Sequence, residues 1–232
     1  MDRKLMVVTG ASRGLGRSLV ETMLARGHRV FGCSRSQASI EHPEYTHFEL
    51  DVADEPAVVR MFKAVRKTGE PLYALINNAG AAAMNHALLT PAATMTRLLA
   101  INVQGTMLCS REAAKQMSKH RVGRIINFST IAAAYDLEGE AVYVASKSAV
   151  AAYSRVLARE LGERGVTVNV VAPNPIRTAL IAGVPDDKLH AILARQAIKR
   201  FGRFEDVLNV VDFFLDPRSE FVTGQIIYLG GP

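Results

Sequence analysis

Short apolar runs rich in β-branched residues alternate along this chain with longer stretches in which apolar positions return every three or four residues. The runs Leu5 to Thr9, Arg29 to Cys33, His47 to Leu50, Ala74 to Asn77, Arg124 to Ser129, Thr167 to Ala172 and Ile226 to Leu229 predict strands. Most are apolar throughout instead of on alternate positions, which is the pattern of strands covered on both faces and therefore of a mainly parallel sheet. Between them, Leu15, Leu19, Val20, Met23 and Leu24 mark one amphipathic helix, and Val58, Val59, Phe62 and Val65 mark another. Longer helices are expected over Thr94 to Lys119 and Val142 to Gly162. The repetition predicts an α/β chain: a mainly seven-stranded parallel sheet, doubly wound, with helices on both faces.

Length changes this picture little. A chain of 232 residues, 49% hydrophobic and 22% charged, fits one globular domain over 1–232, and no repeat, low-complexity segment or linker divides it. No apolar run approaches the roughly 20 residues that span a bilayer, and the segment after Lys4 is broken at Thr9 and Gly10, so no membrane association and a cytoplasmic location are expected. Cys33 and Cys109 lie far apart without ligand spacing, which supports neither a disulfide nor a metal site. The net charge of +6 is scattered and not interleaved with aromatic residues, so nucleic acid is not the expected partner. Two basic clusters stand out, Lys119 to Arg121 with Arg124, and Arg195 with Lys199, Arg200 and Arg203.

The first strand runs into Thr9-Gly-Ala-Ser-Arg-Gly-Leu-Gly16, a glycine turn that opens a helix. There Gly10 can take a tight backbone conformation, Gly14 lets the chain approach a pyrophosphate, Gly16 permits close helix packing, and the helix N-terminus offers free amides to an anion. That is a Rossmann-type arrangement for a dinucleotide, although the spacing departs from Gly-x-Gly-x-x-Gly. After the second strand, Gly32-Cys-Ser-Arg-Ser36 has no carboxylate to accept from a ribose 2′-hydroxyl and does supply Arg35. With Arg13 it offers two cations for a 2′-phosphate, so NADP(H) is expected over NAD(H).

Tyr143 and Lys147 stand four residues apart on a predicted helix and so project from one face. A phenol beside a fixed cation is expected to give up its proton more readily, which makes a proton donor near neutral pH.

In order, these residues resemble the short-chain dehydrogenase/reductase family over essentially the whole chain. Thr9 to Gly16 is similar to its cofactor turn, Asp51-Val52 to its adenine contact, Asn77-Asn-Ala-Gly80 to its motif after the fourth strand, and Asn102 to its active-site asparagine. Within the family the pattern is most similar to bacterial 3-oxoacyl-[acyl-carrier-protein] reductases. The resemblance implies an NADPH-dependent carbonyl reductase in which Tyr143 donates the proton, Lys147 holds the nicotinamide ribose, Asn102 supports a water chain and Thr130 contacts substrate. It implies cofactor contacts at Gly10, Ser12, Arg13, Leu15, Gly16, Ser34, Arg35, Asp51, Val52, Asn78, Ala79, Gly80, Pro173, Ile176 and Thr178, besides Tyr143 and Lys147. It further implies a 3-oxoacyl thioester as substrate in fatty acid biosynthesis, an acidic carrier protein meeting Arg121 and Arg164, and a homodimer or homotetramer built on the two long helices.

Two positions depart from the family. Thirteen residues before the tyrosine it usually places a serine, where this chain has Thr130 with Ser129 adjacent; either hydroxyl could serve the substrate. Asn174 replaces the glycine common after Pro173 and is expected to crowd or contact the nicotinamide. The segment 179–197 is expected to form a short lid, with Leu180, Ile181, Val184, Leu189, Ile192 and Leu193 facing either an acyl chain or the body. Reduction of a small ketone, sugar or pathway-specific metabolite, or a non-catalytic NADP(H)-binding regulatory protein, are the alternatives.

Overall fold

The computed structural model describes residues 3–178, 181 and 183–232. Seven strands, β1 (Leu5–Thr9), β2 (Arg29–Ser34), β3 (Tyr45–Glu49), β4 (Leu72–Asn77), β5 (Gly123–Phe128), β6 (Val166–Ala172) and β7 (Ile226–Tyr228), form one sheet in the order 3-2-1-4-5-6-7. Every pairing is parallel. The strands stand within two residues of where the apolar runs place them. β3 is the exception in character: it is a partly exposed edge strand, Tyr-Thr-His-Phe-Glu, and not an apolar run.

Helices α1 (Gly14–Ala25), α2 (Glu55–Lys67), α3 (Ala92–Leu99), α4 (Gly105–His120), α5 (Ala132–Tyr135), α6 (Ala141–Leu161), α7 (Asp186–Arg195) and α8 (Phe204–Leu215) cover the sheet. Successive residues of β1 point to opposite faces. Leu5 and Val7 join a core built with α2, α4 and α6, while Met6 and Val8 join one built with α1 and α8. This three-layer packing follows directly from strands that are apolar on both sides.

The helix expected over Thr94 to Lys119 is interrupted. Between α3 and α4, Ala100–Gln104 form a π turn that contains Asn102. Such a turn takes one extra residue per hydrogen-bonded loop and often marks a functional position. Val52 packs where a side chain on Gly105 would sit, so α4 begins close against the loop after β3.

β1 and β4 are neighbours although the chain leaves them in opposite directions across the sheet. A crevice at their C-terminal ends is where open α/β sheets bind ligands. The turn after β1, the loop after β4, the segment after β5 and the loop after β6 all meet there.

Candidate active site

On the cofactor side, the glycine turn is shaped by backbone crowding. Gly10 (φ +71°) lies where a Cβ would come within 2.8 Å of Asn78 Nδ2 and 3.0 Å of Ala79 Cα, and a Cβ on Gly16 would collide with the Gly10 carbonyl. Gly14 (φ +55°) faces open space. Asn78 Nδ2 donates to the carbonyls of Thr9 (3.0 Å) and Gly10 (3.2 Å), and Ala79 N donates to Thr9 Oγ1 (2.9 Å). Thr9 is thus a positioning residue that was read from the sequence only as the start of the turn. Arg13 caps α1 without a side-chain hydrogen bond, and no acidic residue occupies the first turn, so the amides there remain available to an anion.

Beside the turn, Ser36 Oγ donates to Ser12 Oγ at 3.3 Å, which brings Arg13 and Arg35 into the same neighbourhood. Both arginines are exposed. Ser34 is tied down, with Oγ donating to Ser36 O at 2.6 Å and lying 3.1 Å from His47 Nε2. Asp51 Oδ1 accepts from Ala53 N at 2.9 Å and so holds its own turn, while Val52 is buried. Leu15, Ile176 and Thr178 line one cavity with Gly14. These features make a cradle that fits a dinucleotide: an open glycine turn, free helix amides and exposed cations beside it.

On the reaction side, Tyr143 and Lys147 lie on one face of α6 and both are buried, at 8% and 6% exposure. Lys147 Nζ donates to the Phe128 carbonyl at 2.9 Å. Burial lowers its pKa from 10.5 to about 8. Burial also pushes the Tyr143 phenol up to about 12, against the opposing pull of a hydrogen bond with the Thr130 hydroxyl. The expected lowering of the Tyr143 pKa by Lys147 does not emerge: the net shift is upward, and removal from water is its largest cause. Glu140, one helical turn before the tyrosine, raises the phenol slightly further and has its own carboxyl raised by burial, opposed by Lys188 of α7.

Asn102 is wholly buried and fully engaged. Its Oδ1 accepts from Ala81 N at 2.8 Å, and its Nδ2 donates to Ala81 O and to Ser146 Oγ, each at 2.9 Å. Ser146 Oγ in turn donates to Tyr143 O at 2.7 Å. A side chain so committed clamps the loop after β4 to α6. A Cβ on Gly80 would lie 3.4 Å from Asn102 Oδ1 and 3.5 Å from Lys147 Nζ, so the glycine keeps this corner open.

β5 ends at Phe128, and the next two hydroxyls part company. Ser129 is buried and donates to the main-chain carbonyl of Lys147 at 3.2 Å. Thr130 accepts from Ala132 N at 3.2 Å, and its hydroxyl opposes the rise in the Tyr143 pKa. Asn174, the other departure from the family pattern, is buried. Its Nδ2 donates to Arg200 O (3.1 Å) and lies 3.2 Å from the Gln196 side-chain amide, and its Oδ1 abuts Gly202, so the side chain turns into the base of the lid. Pro173 lies beside it, with its carbonyl accepting from Ile131 N at 3.0 Å.

Part of the expected lid lies outside the described residues: 179, 180 (Leu180 among the named apolar positions) and 182. Within the remainder, Asp186–Arg195 form α7, with Leu189, Ile192 and Leu193 buried against the body and Arg195 stacked on Tyr135 at 4.4 Å. Arg121 and Arg164 come together, since Arg121 Nη2 donates to Glu163 O at 2.7 Å, but they precede β5 and β6 and so sit at the opposite end of the sheet from Tyr143. Among the described residues, no three His, Cys, Asp or Glu lie close enough to hold a metal ion. No helix among them is long and apolar enough to cross a membrane.

Comparison with known proteins agrees with this geometry. A family model described as Enoyl-(Acyl carrier protein) reductase matches residues 10–231. The chain is 31% identical over 236 residues to a 3-oxoacyl-[acyl-carrier-protein] reductase of Escherichia coli (strain K12), covering 99% of this chain and 97% of the relative. It is 33% identical over 238 residues to the enzyme of that description from Staphylococcus aureus (strain Mu50), covering 98% and 97%. Among solved structures it is similar to a 4-hydroxyisoleucine dehydrogenase complexed with NADH, at TM-score 0.88 and 22% identity over 99% of this chain and 98% of that one. A putative gluconate dehydrogenase from Agrobacterium tumefaciens gives TM-score 0.88 and 25% identity over 98% and 94%.

Proposed function

We propose, from the premise that the chain belongs to the short-chain dehydrogenase/reductase family and is a nicotinamide-dependent oxidoreductase of carbonyl and alcohol groups, that it is an NADPH-dependent ketone reductase favouring a 3-oxoacyl thioester. The observation that carries this reading is that Tyr143 and Lys147 are buried on one helix with Lys147 Nζ held at the Phe128 carbonyl and close to Gly80, in the loop whose Asn78 and Ala79 pack on the glycine turn.

When bound, the cofactor supplies hydride to the carbonyl carbon, so that negative charge grows on the carbonyl oxygen. Tyr143 donates its proton to that oxygen. A phenol held at about 12 stays protonated at neutral pH, and an alkoxide is more basic still, so the transfer runs downhill in the reductive direction. Thr130 orients the phenol and shares the substrate oxygen; Ser129 is committed to the Lys147 carbonyl and does not compete. Lys147 keeps an ammonium in a water-poor corner, where it stabilises growing negative charge more than it would in water. Asn102 fixes the loop that carries Gly80 and so the shape of the floor.

Arg13 and Arg35 support NADPH, since both are exposed cations beside the Ser12 to Ser36 contact. The curated relatives support the 3-oxoacyl thioester. The Arg121 and Arg164 pair supports a carrier protein only for an acyl arm that spans the sheet or enters a second subunit. A stripe of outward apolar side chains, Leu99 at 46% and Met107 at 37% exposure on the α3 to α4 run and Val156 at 55% on α6, supports a dimer across these helices. Of the small residues on α6, Ala141, Ala145, Ala149 and Ala152 are not buried, while Ala151 faces inward. The segment 179–197 acts as the lid, within one catalytic domain that works in the cytoplasm.

Consumption of NADPH or NADH with a 3-oxoacyl thioester, a simple diketone and a keto sugar acid tests the reading. Faster turnover of the thioester with NADPH is expected. Preference for the sugar acid would favour the small-metabolite alternative, which the similarity to a putative gluconate dehydrogenase supports. Tight NADPH binding with no ketone reduced would leave only a non-catalytic role.

A further inference from the structure

The basic cluster at Arg200 and Arg203, which the sequence leaves without a chemical role, comes to rest next to the glycine turn. A parallel bridge between Ile176 and Gly202, with Gly202 N donating to Pro175 O at 2.9 Å, joins the loop after β6 to the approach of α8. Between that double wall and the first turn of α1 lies a cavity of about 550 Å³, with Gly14 and Ser18 on one side and Arg177, Arg200, Phe201 and Arg203 on the other. Among the described residues, no acidic side chain lines it.

The three arginines are not equivalent. Arg200 spends its charge on Asp206, with two contacts at 2.7 and 2.8 Å. Arg203 stands at the N-terminus of α8, its backbone N donating to the same carboxylate at 2.8 Å. Arg177 makes no ion pair among the described residues, and its guanidinium lies over the Phe201 ring at 4.3 Å. A planar cation shelved on an aromatic face keeps its donors in a fixed fork, which suits the paired oxygens of a phosphate and loses less freedom on binding than a free side chain would.

We infer that Arg177 is a diphosphate-binding residue, closing on the anionic bridge of the dinucleotide from the side opposite the glycine turn. The inference rests on the nicotinamide-dinucleotide reading of the site and is indifferent to the choice between NADH and NADPH. Because neither the reaction nor the 2′-phosphate is involved, its test needs no turnover.

The probe is ADP-ribose, which carries the diphosphate but neither nicotinamide nor 2′-phosphate, titrated calorimetrically into the full chain. Arg177→Gln should raise the dissociation constant about tenfold, the usual scale for losing a charge-assisted pair, and the difference should shrink with added salt because the cation is partly solvated. Arg177→Lys, which keeps the charge and loses the planar stack, should fall between. Arg155→Gln, an equal change of charge on the exposed face of α6, should stay within twofold of the parent. Equal affinities for the Arg177→Gln and Arg155→Gln proteins would overturn the clamp while leaving the dinucleotide site intact. Failure of the unaltered protein to bind ADP-ribose, its 2′-phosphorylated form, NADH or NADPH would remove the dinucleotide reading, and the clamp with it.

Discussion

Replacing Lys147 with Met should stabilise the fold while ending catalysis, and the size of the gain follows from burial. The ammonium is 6% exposed and its one hydrogen bond goes to the Phe128 carbonyl. A fall in pKa from 10.5 to about 8 on folding means that holding the charge inside costs about 3 kcal/mol at pH 7. Methionine fills a similar space without the charge but leaves the Phe128 carbonyl short of a donor, a loss of about 1 kcal/mol. A net gain of about 2 kcal/mol is therefore expected at pH 7. The sign of its pH dependence is fixed: the folded pKa lies below the unfolded one, so the penalty is full below about pH 8 and fades as pH rises towards 10.5. Cys33, Cys109 and Tyr143, whose pKa values are raised by burial, oppose folding at the alkaline end in both proteins and cancel in the difference. Urea unfolding of the two proteins at pH 7 and pH 10 reads the effect directly. A variant less stable than the parent at pH 7, or an advantage that does not shrink with pH, would refute the claim that Lys147 is a strained, buried charge.

Other substitutions separate chemistry from architecture. Tyr143→Phe should lower kcat for reduction at least a thousandfold and leave the dissociation constant for NADPH within about twofold, checked by nucleotide fluorescence. Thr130→Val should cost about a hundredfold in kcat, the scale of one lost transition-state hydrogen bond. Ser129→Ala should chiefly lower stability by about 1 kcal/mol, because it frees the Lys147 carbonyl; the reverse ranking in a kinetic comparison would return the substrate contact to Ser129. Met107→Glu places a charge in the apolar stripe of α4 and should shift the protein to monomer by light scattering without unfolding it.

The strands were legible because both faces of the sheet are covered, which writes apolar runs into the chain; β3 was least legible because its edge position relaxes that demand. The pairing of Tyr143 with Lys147 was legible because helical spacing alone puts them on one face. Their pKa directions were not, because those depend on enclosure by the loops after β4 and β5, which no local window contains. The π turn at Asn102 carries no compositional mark; its geometry is set by the clamp on Ala81, 21 residues earlier. The surroundings of Asn174 were not legible for a similar reason. Its partners, Gln196 and the Arg200 carbonyl, lie 22 and 26 residues on, and only the folded lid base brings them within reach.

The two burial shifts also decide how the reaction should respond to pH. Both arise from the same exclusion of water, yet they act oppositely on charge: the phenol of Tyr143 is held neutral to about 12 and the amine of Lys147 is released from its charge near 8. Around pH 7 the corner therefore contains a protonated donor and a mostly charged ammonium, the pair that reduction needs. Raising the pH leaves the donor intact and discharges the ammonium, so the first loss is of electrostatic stabilisation and not of the proton. For kcat/KM, which reports groups of the free enzyme, the fall should begin near pH 8 and approach tenfold per pH unit above it. Tyr143 as the titrating group would instead preserve activity to far higher pH in reduction, and would make oxidation of the alcohol rise only there. A profile for reduction that stays flat through pH 9.5 would show that Lys147 is not the charge on which the developing oxyanion depends.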